Sequence, residues 1–305
     1  MENIIEIKNL SKSFGEVKAV DGLSFSVKKG ELFAFLGVNG AGKSTTISVM
    51  CGALEKDGGE VFIGGYDASA QAKNVRSILG VVFQQSVLDA GLSVIENLKV
   101  RASLYGIVDS DFDKKFKELS SYFGLEEIKN RAVGKLSGGQ RRRVDIARAL
   151  ISDPEILIMD EPTTGLDPQT RKDVWKTIDA LRAERNMTVF LTTHYMEEAS
   201  TADYIVIIDG GKTVAEGTPL ELKNKYTGDY LYVYTEDEQL VKSLGYDYVK
   251  VAEGFRVNVG STEKVKEILI KNPEIRDFEV IKGKMDDVFL SATGKTLTGD
   301  NNENV

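Results

Sequence analysis

The feature that most constrains the fold is a glycine-rich loop, 37–42, which directly follows the apolar run Leu32–Leu36. Lys43, Ser44 and Thr45 come immediately after the loop. The pattern G-x-x-x-x-G-K-[ST] between a strand and a helix is typical of loops whose N–H groups turn toward phosphate oxygens. Lys43 suits the β- and γ-phosphates, and the Ser44 hydroxyl suits Mg²⁺. The predicted nucleotide-binding residues here are Gly37, Asn39, Gly40, Ala41, Gly42, Lys43, Ser44 and Thr45.

Three more apolar runs along the chain each end at polar residues. Continuous apolar runs of this length predict strands that are buried on both faces of a parallel sheet, and hence an α/β fold. In such sheets, ligands bind outside the carboxyl ends of the strands. The residues that follow the three runs, namely Gln84, Asp160 with Glu161, and His194, should therefore meet at one edge.

These residue types suit hydrolysis of a nucleotide at its γ-phosphate. Asp160 is predicted to hold Mg²⁺, directly or through water, and Glu161 to act as general base or to orient the attacking water. Gln84 offers a carbonyl oxygen for Mg²⁺ or water and an amide donor, although Gln85 beside it fits nearly as well. His194 is the only histidine and suits a hydrogen bond to the γ-phosphate. The predicted catalytic residues are thus Glu161, His194 and Gln84, and the predicted metal ligands are Ser44, Gln84 and Asp160.

A second phosphate-binding device follows at Ser137-Gly138-Gly139-Gln140, where a helix is predicted to begin and to run to Ile151. The free N–H groups and the dipole of a helix N-terminus favour a phosphate. One nucleotide does not need two phosphate cradles from one chain. The economical interpretation is that the second cradle serves a nucleotide held by another copy, which indicates an ATPase that works as a dimer.

Phe14 is the remaining candidate for nucleotide contact. It precedes the first core strand, in Ser11-Lys12-Ser13-Phe14-Gly15, where an exposed ring is placed to stack on a base. Ordinary packing is the alternative.

The rest of the chain divides into three predicted regions. Mixed charge and helical spacing over Val94–Tyr105, Asp111–Phe123 and Leu125–Arg131 predict a helical subdomain. After Pro219–Gly228 the order strand, helix, strand, strand, helix, strand, helix predicts a small α+β module of ferredoxin-like type. We expect an ATP-binding domain at 1–225 with its helical subdomain at about 86–150, an accessory domain at 226–296 and a disordered tail at 297–305. The accessory domain suits packing or dimerisation better than ligand sensing.

Charge and hydropathy exclude several classes of function. The net charge is −8, which gives a nucleic-acid partner no electrostatic support, and Asp145 interrupts the one basic run, Arg141–Arg143. Apolar runs are far shorter than a membrane span, and the N-terminus lacks the pattern of a signal peptide. A cytoplasmic location follows.

Together the motifs resemble the ATP-binding subunits of ABC transporters over about residues 4–220. The matching segments, in order, are the phosphate loop, Gln84, Leu136–Gln140, Asp160-Glu161, Gly165-Leu166-Asp167 and His194. The resemblance implies a P-loop NTPase core that binds ATP and Mg²⁺. It also implies that two copies sandwich two ATP molecules, each between the Lys43 loop of one copy and the Ser137 loop of the other, with Asp167 in communication between them.

Three further segments are similar to exporter subunits of the daunorubicin-resistance type: Val81–Gln85, Thr193–Ala199 and Asp286–Leu290. That resemblance implies export through a separate membrane permease of ABC-2 type, and a place on the inner face of the cell membrane. The alternative is a soluble ABC ATPase with a regulatory or translation-associated role, although the translation proteins usually carry two ATPase domains in one chain. A DNA-repair ATPase would need a long insertion for which the interval between Lys43 and Ser137 is too short.

Overall fold

The computed structural model describes residues 2–295, which separate into two compact units. The first holds the chain up to His194 together with Ala202–Thr213, and the second holds Tyr195–Thr201 and the chain from Val214 onward. The predicted disordered tail, 297–305, lies outside the described residues. Within residues 2–295, no helix combines the length and the apolar character that crossing a bilayer requires.

Fourteen strands and eleven α-helices make up the described chain. The strands are β1 (Asn3–Phe14), β2 (Val17–Lys28), β3 (Leu32–Leu36), β4 (Gly58–Ile63), β5 (Tyr66–Asp67), β6 (Leu79–Val82), β7 (Ile156–Asp160), β8 (Thr188–Thr192), β9 (Tyr204–Asp209), β10 (Lys212–Gly217), β11 (Asp229–Val233), β12 (Tyr248–Val251), β13 (Gly254–Asn258) and β14 (Phe278–Lys282). The helices are α1 (Lys43–Met50), α2 (Ala72–Ile78), α3 (Val94–Ser103), α4 (Asp109–Phe123), α5 (Gly138–Leu150), α6 (Pro168–Arg185), α7 (Met196–Ala199), α8 (Pro219–Tyr226), α9 (Glu238–Ser243), α10 (Thr262–Lys271) and α11 (Met285–Thr293).

A six-stranded sheet of order β10-β9-β3-β8-β7-β6 forms the centre of the nucleotide-binding architecture. Its strands β9, β3, β8, β7 and β6 pair in parallel. Every residue of β3 and of β8 is buried. This is the burial that continuous apolar runs predict, because a central parallel strand is covered on both faces. The parallel strands therefore bring their carboxyl ends to a common edge.

An antiparallel sheet of order β2-β1-β4-β5 packs on this core. Four phenylalanines fill the interface between β2 and the central strands, with ring centroids 5.2–6.0 Å apart: Phe25, Phe33, Phe35 and Phe190. Offset aromatic packing at these distances adds to the stabilisation from apolar burial. Aromatic packing therefore holds β3, the strand that precedes the phosphate loop, in place.

The region between β6 and β7 contains α3, α4 and α5 close to where the sequence predicts them, but the prediction of a further helix over Leu125–Arg131 is wrong. That segment forms only the short 3-10 helix Glu126–Ile128. Gly124 ends α4 in the left-handed conformation, with φ at 62°. The backbone then pairs with the N-terminus of α3, since Val94 N–H donates to Arg131 O at 3.1 Å. The end of α4 at Gly124 and the hydrogen bond at Arg131 together limit the helical conformation between them to one turn.

In the second unit, an antiparallel sheet of order β12-β13-β11-β14 carries α9 and α10 on one face. Their shared apolar core consists of Leu231, Val233, Val241, Phe255, Val257, Val259, Val265, Ile268 and Ile275. In the same unit, α11 packs against α7 and α8. The order of strands and helices after residue 228 is the predicted one, while the ferredoxin-like class of this unit stays a prediction.

Candidate active site

A cleft of about 300 Å³ lies at the carboxyl edge of the central sheet. Strands β3, β6 and β7 each deliver polar residues to it, because they run in parallel. The cleft is lined by Phe14, Ala19, Asn39, Gly40, Gly42, Lys43, Ser44, Thr45, Gln84, Asp160 and Glu161. Ten of these eleven were predicted, and Ala19 was not. Gly37 and Ala41 belong to the loop without lining the cleft, and His194 reaches the cleft through Glu161.

The backbone of the phosphate loop needs glycine for two different reasons. Gly42 has φ at 107°, and a Cβ there would lie 2.4 Å from Ala19 O. Gly37 has no unusual φ, but its Cβ would lie 2.7 Å from Ile208 O. Gly40 has φ at 82° in open space. Close approach therefore excludes side chains at the two ends of the loop, whereas Gly40 is required for its turn.

Lys43 sits under the loop that it follows. Its Nζ donates to Gly37 O at 2.6 Å and to Val38 O at 3.2 Å, and the side chain is buried. Burial lowers the pKa of Lys43, and the nearby carboxylates of Glu161 and Asp160 oppose that shift. A lysine held by neutral carbonyls can exchange them for phosphate oxygens, which pair better with its charge.

Glu161 has an unusual backbone conformation and a crowded carboxylate. Its φ is 46°, and its N–H donates to Thr192 O at 3.0 Å and Thr192 Oγ1 at 3.2 Å. Oε2 accepts hydrogen bonds from Gln84 Nε2 at 3.0 Å and from Thr164 Oγ1 at 3.3 Å. His194 Nδ1 lies 3.3 Å from the same oxygen. The three predicted catalytic side chains thus meet at a single carboxylate oxygen.

Asp160 supplies the second carboxylate of the cleft. Burial raises its pKa, while a hydrogen bond from Thr192 Oγ1 to Oδ1, at 2.5 Å, opposes that shift. Ser44 and Gln84 line the same cleft. Together these residues offer a carboxylate, a hydroxyl and an amide oxygen, which is the hard-oxygen donor set that Mg²⁺ accepts alongside water and phosphate. Among residues 2–295, no cluster of three or more His, Cys, Asp or Glu forms an all-protein metal cage.

The second predicted cradle occupies a separate cleft of about 380 Å³. Ser137 caps α5: its Oγ accepts from Gln140 N–H at 3.2 Å, and Gln140 Oε1 accepts from Ser137 N–H at 3.1 Å. Asp167 caps α6 at the same cleft, with Thr170 N–H donating to it at 3.0 Å. The lining residues are Ser137, Gly138, Gly139, Gln140, Arg143, Gly165, Leu166, Asp167, Thr170 and Asp173. The predicted nucleotide-binding residues therefore divide between two clefts.

Sequence reasoning missed two residues that hold the first cleft together. Thr192 contacts both Asp160 and Glu161, and its only sequence signal is its place near the end of an apolar run. In the sequence Arg142 stands out only as part of the basic run Arg141–Arg143, yet it is buried and donates to the main-chain carbonyls of Gln84 and Glu161. The neighbouring Asp145, which interrupts the charge, was the available signal for a buried position.

Comparison with known proteins agrees with this geometry. The family model described as ABC transporter matches residues 20–164. The linearmycin resistance ATP-binding protein LnrL of Bacillus subtilis is 36% identical, covering 96% of this chain and 99% of that protein. The daunorubicin/doxorubicin resistance ATP-binding protein DrrA of Streptomyces peucetius is 35% identical, covering 95% of this chain and 92% of that protein.

Among solved structures, a dimeric ATP-binding cassette in a post-hydrolysis state, bound to ADP and Pi, matches with a TM-score of 0.65. It is 28% identical and covers 70% of this chain and 98% of that one. Fold, sequence and site geometry thus agree on one assignment. The chain belongs to the ABC transporter family and is an ATP-binding ATPase with the P-loop cassette fold.

Proposed function

We propose that this chain is the ATP-hydrolysing subunit of an exporter, and that two copies close around two ATP molecules. A separate membrane permease then carries the substrate. The observation that carries this proposal is the division of phosphate-binding residues between two clefts of one chain. Only the Lys43 cleft also contains the adjacent carboxylates Asp160 and Glu161, whereas the carboxylate of Asp167 in the Ser137 cleft is engaged in capping α6. The Ser137 cleft has a helix N-terminus for a phosphate but contains neither the phosphate-loop lysine nor Asp160 and Glu161, so it suits an ATP molecule whose hydrolysis is carried out by the other copy.

In this proposal the residues of the Lys43 cleft have three roles: they bind the phosphates, hold the metal ion and activate water. Lys43 and the loop N–H groups bind the β- and γ-phosphates. Ser44, Gln84 and Asp160 would hold Mg²⁺, which would neutralise charge on the phosphates. Glu161 orients or deprotonates the attacking water, and its contacts with Gln84 and His194 fix the direction of its carboxylate.

Phe14 is the proposed contact for the adenine base. Its side chain is 53% exposed at the mouth of the Lys43 cleft, which argues against a packing role. Lys12 Nζ lies 5.7 Å from the ring centroid, and its ion pair with Asp57 holds it there. A flat exposed ring of this kind offers a stacking surface for a base.

The transport role draws on the relatives. LnrL is named for resistance to linearmycin and DrrA for resistance to daunorubicin and doxorubicin, and both align with nearly the whole of this chain. We infer that this chain also works in export, at the inner face of the cell membrane, through an ABC-2-type permease on another polypeptide. If the neighbouring reading frame encodes a six-span permease, co-expression with that permease should move the chain into the membrane fraction. Recovery of the chain in the soluble fraction both with and without the permease would contradict the proposed partnership.

We further propose that residues 1–225 form the ATP-binding domain and residues 226–296 an accessory ferredoxin-like domain for packing or dimerisation. The strand order β12-β13-β11-β14, with every neighbouring pair antiparallel, supports that class. Among its described residues this region supplies no lining to either of the two phosphate-binding clefts.

The Glu161→Gln variant tests the hydrolytic mechanism. The amide keeps the shape of the side chain and loses the base, so ATP should bind, turnover should fall by roughly 100-fold or more, and the ATP-bound dimer should persist. Size-exclusion chromatography with Mg-ATP measures the dimer. Glu155→Gln, which alters an exposed carboxylate paired with Lys29, is the matched control and should behave as the wild type. Near-normal turnover of Glu161→Gln would remove Glu161 from the catalytic role.

A further inference from the structure

A buried arginine connects the carboxyl ends of two neighbouring strands of the six-stranded sheet, β6 and β7. Arg142 Nη1 donates to Phe83 O at 2.7 Å, and Nη2 donates to Gln84 O and to Glu161 O, both at 3.1 Å. The first two carbonyls follow β6, and the third follows β7. We propose that Arg142 is a positioning residue for ATP hydrolysis, which fixes the backbones of Gln84 and Glu161 relative to each other. This inference rests on the hydrolytic roles proposed above for those two residues.

The backbone of Glu161 explains why such a residue is needed. A glutamate with φ at 46° occupies the left-handed region, which L side chains rarely adopt. Such conformations persist only where the surrounding structure holds them. Thr192 accepts the hydrogen bond of the Glu161 N–H, and Arg142 donates to the Glu161 carbonyl. Arg142 therefore holds one of the two peptide groups that keep the carboxylate aimed at Gln84.

The chemistry of this contact favours arginine. Three carbonyl oxygens surround one side chain that is only 6% exposed. A guanidinium presents five N–H donors in a planar fork, whereas a lysine ammonium is a compact point charge and a glutamine amide has two N–H groups on one nitrogen. Asp145 and Asp160 supply the negative charge that accompanies the buried guanidinium. No other standard side chain combines that reach with that number of donors.

The position of Arg142 is itself fixed by neighbours on α5. Asp145 and Arg148 follow at intervals of three residues, so that each side chain neighbours the previous one in an oblique row along the helix. Asp145 hydrogen-bonds the side chain of Ser86, and Arg148 Nη2 donates to Val81 O at 2.6 Å. Helix α5 thus contacts the segment around Gln84 through three successive side chains. Of these three, Arg142 is the one that also contacts Glu161.

The test compares Arg142→Gln and Arg142→Lys with the wild-type full-length chain. Misplacement of a catalytic group by about 1 Å can cost about 100-fold in rate, so kcat should fall by roughly 10- to 100-fold in Arg142→Gln. KM for ATP should stay near the wild-type value, because Arg142 does not line the Lys43 cleft. Arg142→Lys should recover part of kcat, since an ammonium still reaches a carbonyl.

The matched control is Arg185→Gln. Arg185 also makes several contacts through its guanidinium, with Asp153 at 2.8 Å and with Glu118, but these lie outside both clefts. Its loss should lower the melting temperature and leave kcat unchanged. Circular dichroism and melting curves establish that each variant is folded at the assay temperature. If Arg142→Gln is unfolded there, the kcat and KM of Arg142→Lys decide the question by the same criterion.

Wild-type kcat in a folded Arg142→Gln would overturn the inference. A rise in KM that accounts for the whole loss of kcat/KM would also overturn it, because that pattern reports binding rather than positioning. These results are distinguishable from failure of the proposed function. Wild-type kcat in the Arg142 variants, with turnover abolished in Glu161→Gln, removes only the positioning role. Retained turnover in Glu161→Gln instead removes the proposed function of the glutamate itself.

Discussion

Two threonines at opposite ends of β8 illustrate how one residue type serves either the fold or the site. Both Thr188 and Thr192 are fully buried. The Thr188 hydroxyl accepts a hydrogen bond from Gly30 N–H at 2.9 Å, which joins two neutral groups. The Thr192 hydroxyl donates to Asp160, and that bond opposes the rise in pKa that burial imposes on the carboxyl. A hydrogen bond to a charged group is worth more than one between neutral groups.

Thr192→Val should therefore cost more than Thr188→Val, although the two changes are chemically identical. We expect a loss of about 1.5–3 kcal/mol in the free energy of unfolding for Thr192→Val and about 0.5–1.5 kcal/mol for Thr188→Val. Urea denaturation without nucleotide at neutral pH measures both. ATPase activity should fall only in the first variant, because Thr188 lies away from the cleft. Equal losses of stability in the two would show that the Asp160 contact adds nothing.

At the scale of elements, the phosphate loop separates two uses of glycine. A Cβ at position 42 would lie 2.4 Å from Ala19 O, in addition to the cost of φ at 107°. At Gly40 the conformation is strained for other residues, but the space is open. Gly42→Ala should thus abolish ATP binding, whereas Gly40→Ala should weaken it by roughly 5- to 30-fold, which corresponds to the 1–2 kcal/mol cost of a left-handed residue. Titration with a fluorescent ATP analogue measures both, and equal affinities would contradict the assignment of close approach at Gly42.

Elements whose signal is local could be predicted from the sequence. The apolar runs of β3, β7 and β8 end where expected, so most of the first cleft was predicted residue by residue. The contacts of Arg142 could not be predicted, because its partners Gln84 and Glu161 lie 58 and 19 residues away and are contacted through their carbonyls. Because every residue has a main-chain carbonyl, the residue type does not indicate which carbonyl accepts such a hydrogen bond. The absence of a helix over 125–131 has a similar cause, since a backbone pairing with α3 overrides the local helical pattern.

At the scale of the whole molecule, the two clefts predict behaviour that depends on association. If the Ser137 cleft serves the ATP molecule of another copy, a lesion there should abolish hydrolysis and spare ATP binding by the monomer. The Ser137→Arg variant places a bulky side chain in that cleft and leaves the Lys43 cleft untouched. Because Ser137 also caps α5, the Ser137→Ala variant is the matched control. Loss of the cap alone costs about 1 kcal/mol, so the alanine variant should stay folded, and any further loss of stability in Ser137→Arg is then due to the bulk of the new side chain.

Mixing Ser137→Arg with Lys43→Ala subunits extends this test to the shared site. In a mixed dimer, one composite site carries both lesions and the other carries neither, so some hydrolysis should return if a single intact site can turn over. The Ser137→Arg monomer gives the sharper measurement, because it does not depend on that condition. Its affinity for a fluorescent ATP analogue should equal that of the wild-type monomer. If affinity is lost while circular dichroism shows an intact fold, the Ser137 loop serves its own subunit's nucleotide, and the proposed sandwich of two copies is wrong.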